Sequence, residues 1–250
     1  MFMKKDLTIS CDAVILSGAK TIPHRNYIDK KYSYLLFKRI FDLTFSLLVI
    51  IFILTWLIPV IAVLIMLESQ GPVFFIQRRV GLGGRIFRCL KFRTMVLNND
   101  SNTLQAQAND YRITRVGKFL RTSNLDEFPQ FINVFIGHMS IVGPRPHMIS
   151  DCNKFSQVVK GYKFRNLVKP GITGLAQIKG YRGPAKDFTS IFRRYQYDAF
   201  YVRNFNFWLD MRIIRVTAKQ TKEAFVDKFH SKRVQETNIT YSRVLNPAKN

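Results

Sequence analysis

The strongest pattern along the chain is a run of 25 residues, Leu43 to Leu67, without a charge or a glycine. Such a run is long enough to cross a bilayer as a helix. Besides Pro59, only Thr44, Ser46 and Thr55 interrupt its aliphatic and aromatic residues. A helix that is apolar all round is buried, in protein or in lipid. Pro59 removes one backbone donor and crowds the preceding turn, which predicts a kink or break. Lys30, Lys31, Lys38 and Arg39 precede the run. Arg78, Arg79, Arg85, Arg88, Lys91 and Arg93 follow it, and residues 69–99 hold no acid. Basic flanks favour the cytoplasmic side. A straight span would send one flank outside, whereas a helix broken at Pro59 enters and leaves on one face. The pattern therefore favours a re-entrant helix over a span, with most of the chain cytoplasmic.

Beyond Gly71-Pro72 the periodicity shortens. Val73 to Phe75 and Ile86 to Phe92 read as extended pieces around Gly81-Leu82-Gly83-Gly84. That turn is a plain hairpin connection rather than a phosphate fingerprint. Asn98 to Asp110 is polar and reads as a loop. From Tyr111, the residues Ile113, Val116, Phe119 and Leu120 recur at helical spacing among Arg112, Arg115, Lys118 and Arg121. This is a basic amphipathic helix, suited to an anionic surface or to packing on a soluble core. Thr122-Ser123-Asn124 offers capping side chains ahead of a helix from about Asp126 to Gly137, with Pro129 in its first turn. That helix is expected to bury Phe128, Phe131, Ile132, Phe135 and Ile136. Gly143-Pro144-Arg145-Pro146 and Lys169-Pro170-Gly171-Ile172-Thr173-Gly174 read as turns. In Phe188 to Thr217, Ile191, Phe192, Tyr195, Ala199 and Val202 share a helical face. Tyr197, Tyr201, Arg203, Trp208, Arg212 and Arg215 suit a membrane interface.

Charge narrows the partners. Thirty-nine basic residues against sixteen acidic ones give a formal net charge of +23. Such a surface seeks anions: nucleic acid, anionic lipid or phosphorylated substrates. No helix-turn-helix, zinc-finger or RNA-binding pattern is present, which speaks against nucleic acid. Cys11, Cys89 and Cys152 are too widely spaced for a metal site and read as reduced thiols. The four histidines are scattered and none demands a catalytic role. Lys4 and Lys5 have no apolar stretch behind them, so no signal peptide is read.

In so basic a chain the adjacent acids Asp126-Glu127, close to Arg121, stand out. Ordinary helix capping explains them as readily as chemistry does. The chemical reading has physical support. A carboxylate can attack phosphorus, a second can hold Mg²⁺ against diphosphate oxygens, and helix N–H groups and arginines can stabilise phosphoryl oxygens.

Around this pair the motifs become specific as a set. Lys38-Arg39-Ile40-Phe41-Asp42 is followed in order by Gly71-Pro72-Val73-Phe74-Phe75-Ile76-Gln77-Arg78 and Lys91-Phe92-Arg93-Thr94-Met95. Leu125-Asp126-Glu127-Phe128-Pro129-Gln130, Asn133-Val134, Met139-Ser140-Ile141-Val142-Gly143-Pro144-Arg145-Pro146 and Lys169 to Gly174 come next. From about Lys38 to Thr217 the chain resembles the bacterial sugar transferases that prime polysaccharide synthesis, the monotopic phosphoglycosyl transferases. Ile58 stands where many relatives carry serine, Phe128 replaces a usual leucine, and Gly180-Tyr181-Arg182-Gly183 departs from the common pattern.

The resemblance implies a helix-dominated α+β fold: a monotopic membrane protein with one proline-broken re-entrant helix and a cytosolic catalytic body on the bacterial inner membrane. The expected division is an N-terminal extension (1–37), the membrane helix (38–70), the catalytic domain (71–230) and a tail (231–250). The implied reaction moves a sugar-1-phosphate from a UDP-sugar to undecaprenyl phosphate and releases UMP. Asp126 would be the nucleophile of a covalent intermediate and Glu127 the ligand of a Mg²⁺ cofactor. Arg121 and Arg145 would contact phosphate or nucleotide, and Lys91 and Arg93 would belong to the wall of the site. Anionic membrane lipids are expected partners, and a homo-oligomer is left open. The competing readings are a non-catalytic basic scaffold at the membrane and a nucleic-acid-binding protein.

Overall fold

The computed structural model describes residues 31–97, 110–183, 187–224 and 226. The N-terminal extension up to residue 30, nearly all of the polar loop from Asn98, and the tail lie outside the described residues. The described chain is helix-dominated α+β with two small sheets.

The apolar run forms a single 37-residue helical stretch, Tyr32–Glu68. It consists of α1 (Tyr32–Val49), a π turn (Ile50–Leu54) and α2 (Thr55–Glu68). Helix continues on both sides of Pro59, so the chain is not interrupted there. The irregularity lies one turn earlier. Buried positions run Asp42, Ser46, Val49, then Leu54, Leu57, Ile61 and Ile65. The five-residue step from Val49 to Leu54 is the wider π turn, which moves the buried stripe round by one residue. Pro59 points to the exposed side.

That stripe explains the helix's course. Val49, Leu54, Leu57, Ile61 and Ile65 pack with Phe92 and Leu120 in one apolar cluster. Each such burial contributes about 1.5–3 kcal/mol, so the stripe is the main attachment. Polar ties then fix both ends to the same body. Arg39 donates to the carbonyls of Val134 (2.7 Å) and Phe135 (2.8 Å), and buried Asp42 accepts from the Ile141 N–H (2.9 Å). At the far end Glu68 accepts from the N–H groups of Arg115 (2.6 Å) and Val116 (2.8 Å). The opposite face, including Phe37, Ile40, Leu48, Phe52, Trp56, Val60, Val63 and Leu67, is exposed and apolar. Soluble proteins rarely present so large an apolar surface to water, so this face marks membrane association.

The hairpin forms as the glycine-rich turn suggests: β1 (Phe74–Val80) pairs antiparallel with β2 (Ile86–Phe92), Phe74 opposite Phe92. The basic helix is shorter than its sequence period. It is α3 (Arg115–Ser123), with the Thr114 hydroxyl accepting from the Gly117 N–H at 2.9 Å. Tyr111 to Ile113 precede it, with Ile113 bridged to Met95. Thr122 and Ser123 do not cap the next helix. Their hydroxyls donate back to the carbonyls of Lys118 (2.7 Å) and Phe119 (2.9 Å), so they end α3. A 3₁₀ turn (Leu125–Glu127) follows, then a short α4 (Gln130–Phe135). Gln130, Asn133 and Val134 are its buried residues, whereas Phe135 and Ile136 are exposed, contrary to the expectation from hydrophobicity. Asn133 is held inside because its amide pairs with the backbone of Arg88 (2.8 Å) and Leu90 (2.8 Å) on β2.

The second sheet is a parallel pair, β3 (Ser140–Val142) and β4 (Gly171–Thr173), with α5 (Ile149–Val158) between them. The chain closes with α6 (Leu175–Ile178), α7 (Phe188–Asn204) and a final helix, α8, over 207–224. Tyr201 is not interfacial as its aromatic neighbourhood suggested. It is 2% exposed, and its hydroxyl donates to Asp210 (2.8 Å). Trp208, by contrast, is 79% exposed. Buried Asp210 also accepts from the hydroxyl of Tyr34 (2.7 Å) and pairs with Lys38, joining the membrane helix to α8. Cys89 and Cys152 are buried, and Cys11 lies outside the described residues.

Candidate active site

Three pieces of backbone converge on Asp126 and Glu127. The first is β2 and the residues after it. Lys91 extends Nζ to Glu127 Oε1 at 2.7 Å. The second is α3. A Cβ on Gly117 would lie 2.0 Å from the Thr94 carbonyl oxygen, so only glycine lets the helix sit this close to the strand. That approach lets Arg121 Nε donate to Thr94 Oγ1 at 2.8 Å. Asn124, with φ +59°, then reverses the chain and presents the acidic pair on its 3₁₀ turn. Asparagine is among the few side chains that tolerate this conformation.

The third piece is the Gly143-Pro144-Arg145-Pro146 turn. Added Cβ atoms on Gly143, Gly171 and Gly174 would lie 2.1–2.4 Å from the backbone of the facing segment. The two glycine-containing motifs are therefore packed main chain to main chain. Arg145 emerges from this contact and grips Glu127 with both arms, Nη2 to Oε1 at 2.6 Å and Nη1 to Oε2 at 3.2 Å. Its loop is braced from behind. Arg165 donates to the Arg145 carbonyl (2.6 Å) while paired with Asp198, and Arg79 donates to the Pro146 carbonyl (3.0 Å). A fourth group completes the site: Arg182 Nη2 reaches Glu127 Oε2 at 3.1 Å.

The two acids have opposite environments. Burial alone would raise Glu127, but Arg145, Lys91 and Arg182 outweigh it and hold its carboxyl well below the ordinary glutamate value. Asp126 is raised, first by burial and further by the Glu127 charge, against the pull of Lys91, Arg145 and Arg121. Glu127 is thus a fixed anion and Asp126 the more basic carboxylate. Divergence of this kind between neighbouring carboxyls separates their chemical roles.

Both acids line a cavity of about 480 Å³, together with Lys91, Arg93, Arg121 and Arg145. All six residues singled out in the sequence therefore border one space. Arg93 takes a different role from the rest. Its guanidinium donates to the carbonyls of Ser69 (2.6 Å) and Gln70, where the membrane helix ends. Sequence reasoning missed Arg79, His147, Asp151, Arg182 and Arg194, which line the same cavity. His147 carried one usable signal, its place directly after the proline-flanked arginine.

Among the described residues no group of three or more His, Cys, Asp and Glu side chains is arranged for a metal ion. Magnesium is typically held by one or two carboxylates plus substrate phosphate oxygens, and the adjacent carboxylates fit that donor set. The four bonds to Glu127 fill a carboxylate's acceptor sites. Arg182, whose side chain is 40% exposed, is the partner best able to yield one.

The profile of the bacterial sugar transferases matches residues 33–223. The chain belongs to that family. A UDP-glucose:undecaprenyl-phosphate glucose-1-phosphate transferase of Klebsiella pneumoniae is 47% identical over 184 residues, which is 73% of this chain and 39% of that protein. A UDP-N-acetylgalactosamine-undecaprenyl-phosphate N-acetylgalactosaminephosphotransferase of Aeromonas hydrophila is 45% identical over 166 residues, 66% of this chain and 38% of that one. An exopolysaccharide production protein, PSS, of Rhizobium leguminosarum bv. phaseoli is 43% identical over 185 residues, covering 72% and 92%. The chain therefore spans about two fifths of the first two relatives and nearly all of the third.

Proposed function

We propose that this sugar transferase moves a sugar-1-phosphate from a UDP-sugar to undecaprenyl phosphate, releasing UMP, as the priming step of polysaccharide synthesis. The carrying observation is the split between the two acids: a basic Asp126 beside a Glu127 pinned by three cations. Asp126 Oδ attacks the phosphorus next to the sugar, and the bond to the UMP oxygen breaks. Undecaprenyl phosphate then attacks the same phosphorus and releases Asp126. Lys91, Arg121 and Arg145 offset charge on the phosphoryl oxygens, as arginine forks and ammonium groups do at transferring phosphates. Magnesium, held by Glu127, would supply further charge neutralisation at the diphosphate. The relatives named above divide between glucose and N-acetylgalactosamine donors, so the proposal stops at a UDP-sugar.

The proposal extends to topology. Both flanks of the membrane helix are tied to one body, so both belong on one side, and the basic flanks make it the cytosolic face of the inner membrane. The exposed apolar face of the helix then lies in lipid, as in a monotopic protein.

The test is mass spectrometry of the protein after incubation with UDP-sugar and Mg²⁺ without lipid acceptor. One hexose-phosphate should be added to the wild type and none to Asp126→Asn, whose amide is a poor nucleophile. Ping-pong kinetics should accompany the adduct. An unlabelled wild type with intersecting double-reciprocal lines would reduce Asp126 to a general base or metal ligand.

A further inference from the structure

The proposed chemistry uses the cavity around the acidic pair and leaves a second cluster unexplained. Beside Arg145 the cavity is bordered by Arg79, His147 and Arg194. His147 is 3% and Arg194 7% exposed. Arg79 Nε, His147 Nε2 and Arg194 Nε are buried nitrogens without a hydrogen-bond partner among the described residues. Such orphans are rare in folded proteins and call for an explanation. Other atoms of the three side chains are bonded: Arg79 to Gln77 and to the Pro146 carbonyl, Arg194 Nη2 to the Gly183 carbonyl, and His147 Nδ1 to the Tyr162 hydroxyl at 2.6 Å. The Tyr162–Nδ1 bond can run in either direction; with the phenol donating, the ring proton sits on Nε2 and His147 is a donor too. Arg93 Nε is also unpaired, but that guanidinium is bound to the end of the membrane helix. Asp151 borders the cavity and offsets part of the Arg79 charge.

We infer that Arg79, His147 and Arg194 form a phosphomonoester subsite used in both halves of the reaction. This rests on the covalent reading above. In the first displacement the Asp126 oxygen–phosphorus bond forms while the bond from phosphorus to the nucleoside monophosphate oxygen breaks. The electron pair stays on that oxygen, so the departing phosphate gains a negative charge, which buried donors accommodate. In the second, an oxygen of the acceptor phosphate attacks the same phosphorus and Asp126 leaves with the electron pair. In-line attack must come from the side opposite Asp126, the place the nucleotide phosphate has vacated. One donor-rich corner therefore serves UMP on departure and the lipid phosphate on arrival.

The test uses the full chain in detergent micelles, titrated with UMP, uridine and inorganic phosphate, for wild type, Arg194→Gln and His147→Phe. Each variant should lose about tenfold or more in UMP affinity, the effect of one charge-assisted bond, with uridine binding unchanged. Discharge of preformed adduct by undecaprenyl phosphate should slow by a similar factor. Unchanged UMP affinity in a variant that melts like the wild type would overturn the subsite. So would a loss shared equally by uridine, which would make the corner a nucleoside contact. Weaker UMP binding with normal discharge would overturn the shared use. Should His147→Phe not fold, Arg194→Gln carries the same measurements. A wild type that forms no adduct would refute the covalent reading alone, because the UMP and uridine titrations need no adduct.

Discussion

Glu127→Gln separates a structural anion from a dispensable one. Glu127 is 5% exposed and answers Lys91, Arg145 and Arg182. The amide keeps one acceptor oxygen, brings a donor that faces cations, and leaves two or more positive groups uncompensated. Removing one partner of a buried pair costs about 3–5 kcal/mol, and the Arg182 contact, partly exposed, adds little. At the lower end, about 3 kcal/mol, a chain of this size should melt roughly 6–12 °C lower. A second consequence has a definite sign. The Glu127 charge raises Asp126, while Lys91 and Arg145 lower it. Removing that charge ends the repulsion and frees both cations for Asp126, so its carboxyl becomes more acidic. On the covalent reading proposed above, adduct formation requires the ionised carboxylate, so the rate is lost as pH falls through the folded value. In the wild type this acid limb lies above that of an ordinary aspartate, and in Glu127→Gln it should move to lower pH. Scanning fluorimetry and single-turnover adduct formation across pH read the two effects separately. A variant that melts like the wild type, or whose acid limb moves to higher pH, would refute the assigned electrostatics.

Arg145→Lys keeps the charge but loses the fork that holds both Glu127 oxygens, so activity should fall about tenfold or more. Arg121→Lys should fall similarly, because the bond from Nε to Thr94 fixes its direction. Gly143→Ala drives a Cβ to 2.4 Å from the Lys169 carbonyl, whereas at Gly83 nothing lies within 4 Å and only its φ of +64° resists. Thermal unfolding should show a loss of about 3 kcal/mol or more for the first and about 1 kcal/mol for the second. Cysteines placed at Tyr32 and Gln70 should both resist an impermeant thiol reagent in intact cells, and labelling of either would exclude a common cytosolic side. Pro59→Leu should leave that labelling unchanged, because the helix is already continuous through Pro59.

Much of this was legible along the chain, and the failures share a cause. The apolar run, the hairpin around Gly81 to Gly84 and the acidic pair are local features, and each appears where the pattern puts it. The burial of Phe135 and Ile136 was read from residue type alone. There tertiary contacts decided otherwise. Arg39 covers the end of α4 while Asn133 takes the buried position. Arg182 and Arg194 were invisible as site residues because they come from a segment 55 or more residues beyond Glu127. Arg194 returns on α7 and Arg182 on the turn after α6. The proline and glycine motifs could be recognised without being understood, since the reason for Gly143, Gly171 and Gly174 is a contact between distant backbones.

The same packing links the membrane helix to the chemistry. Arg93 closes the end of the helix by donating to Ser69 and Gln70, and a Cβ on Gly71 would lie 2.3 Å from its Nη1. The next residue, Thr94, presents its carbonyl to Gly117 and its hydroxyl to Arg121. Glu68, on the last turn of the helix, caps the start of the helix that carries Arg121. Two short routes therefore run from the end of the membrane helix to the arginine beside Asp126. In the reaction proposed above, a lipid acceptor brings its phosphate from the bilayer to this carboxylate. With the anchor helix and Arg121 in one frame that distance stays fixed, so the membrane helix would help to set the geometry of the site as well as its location.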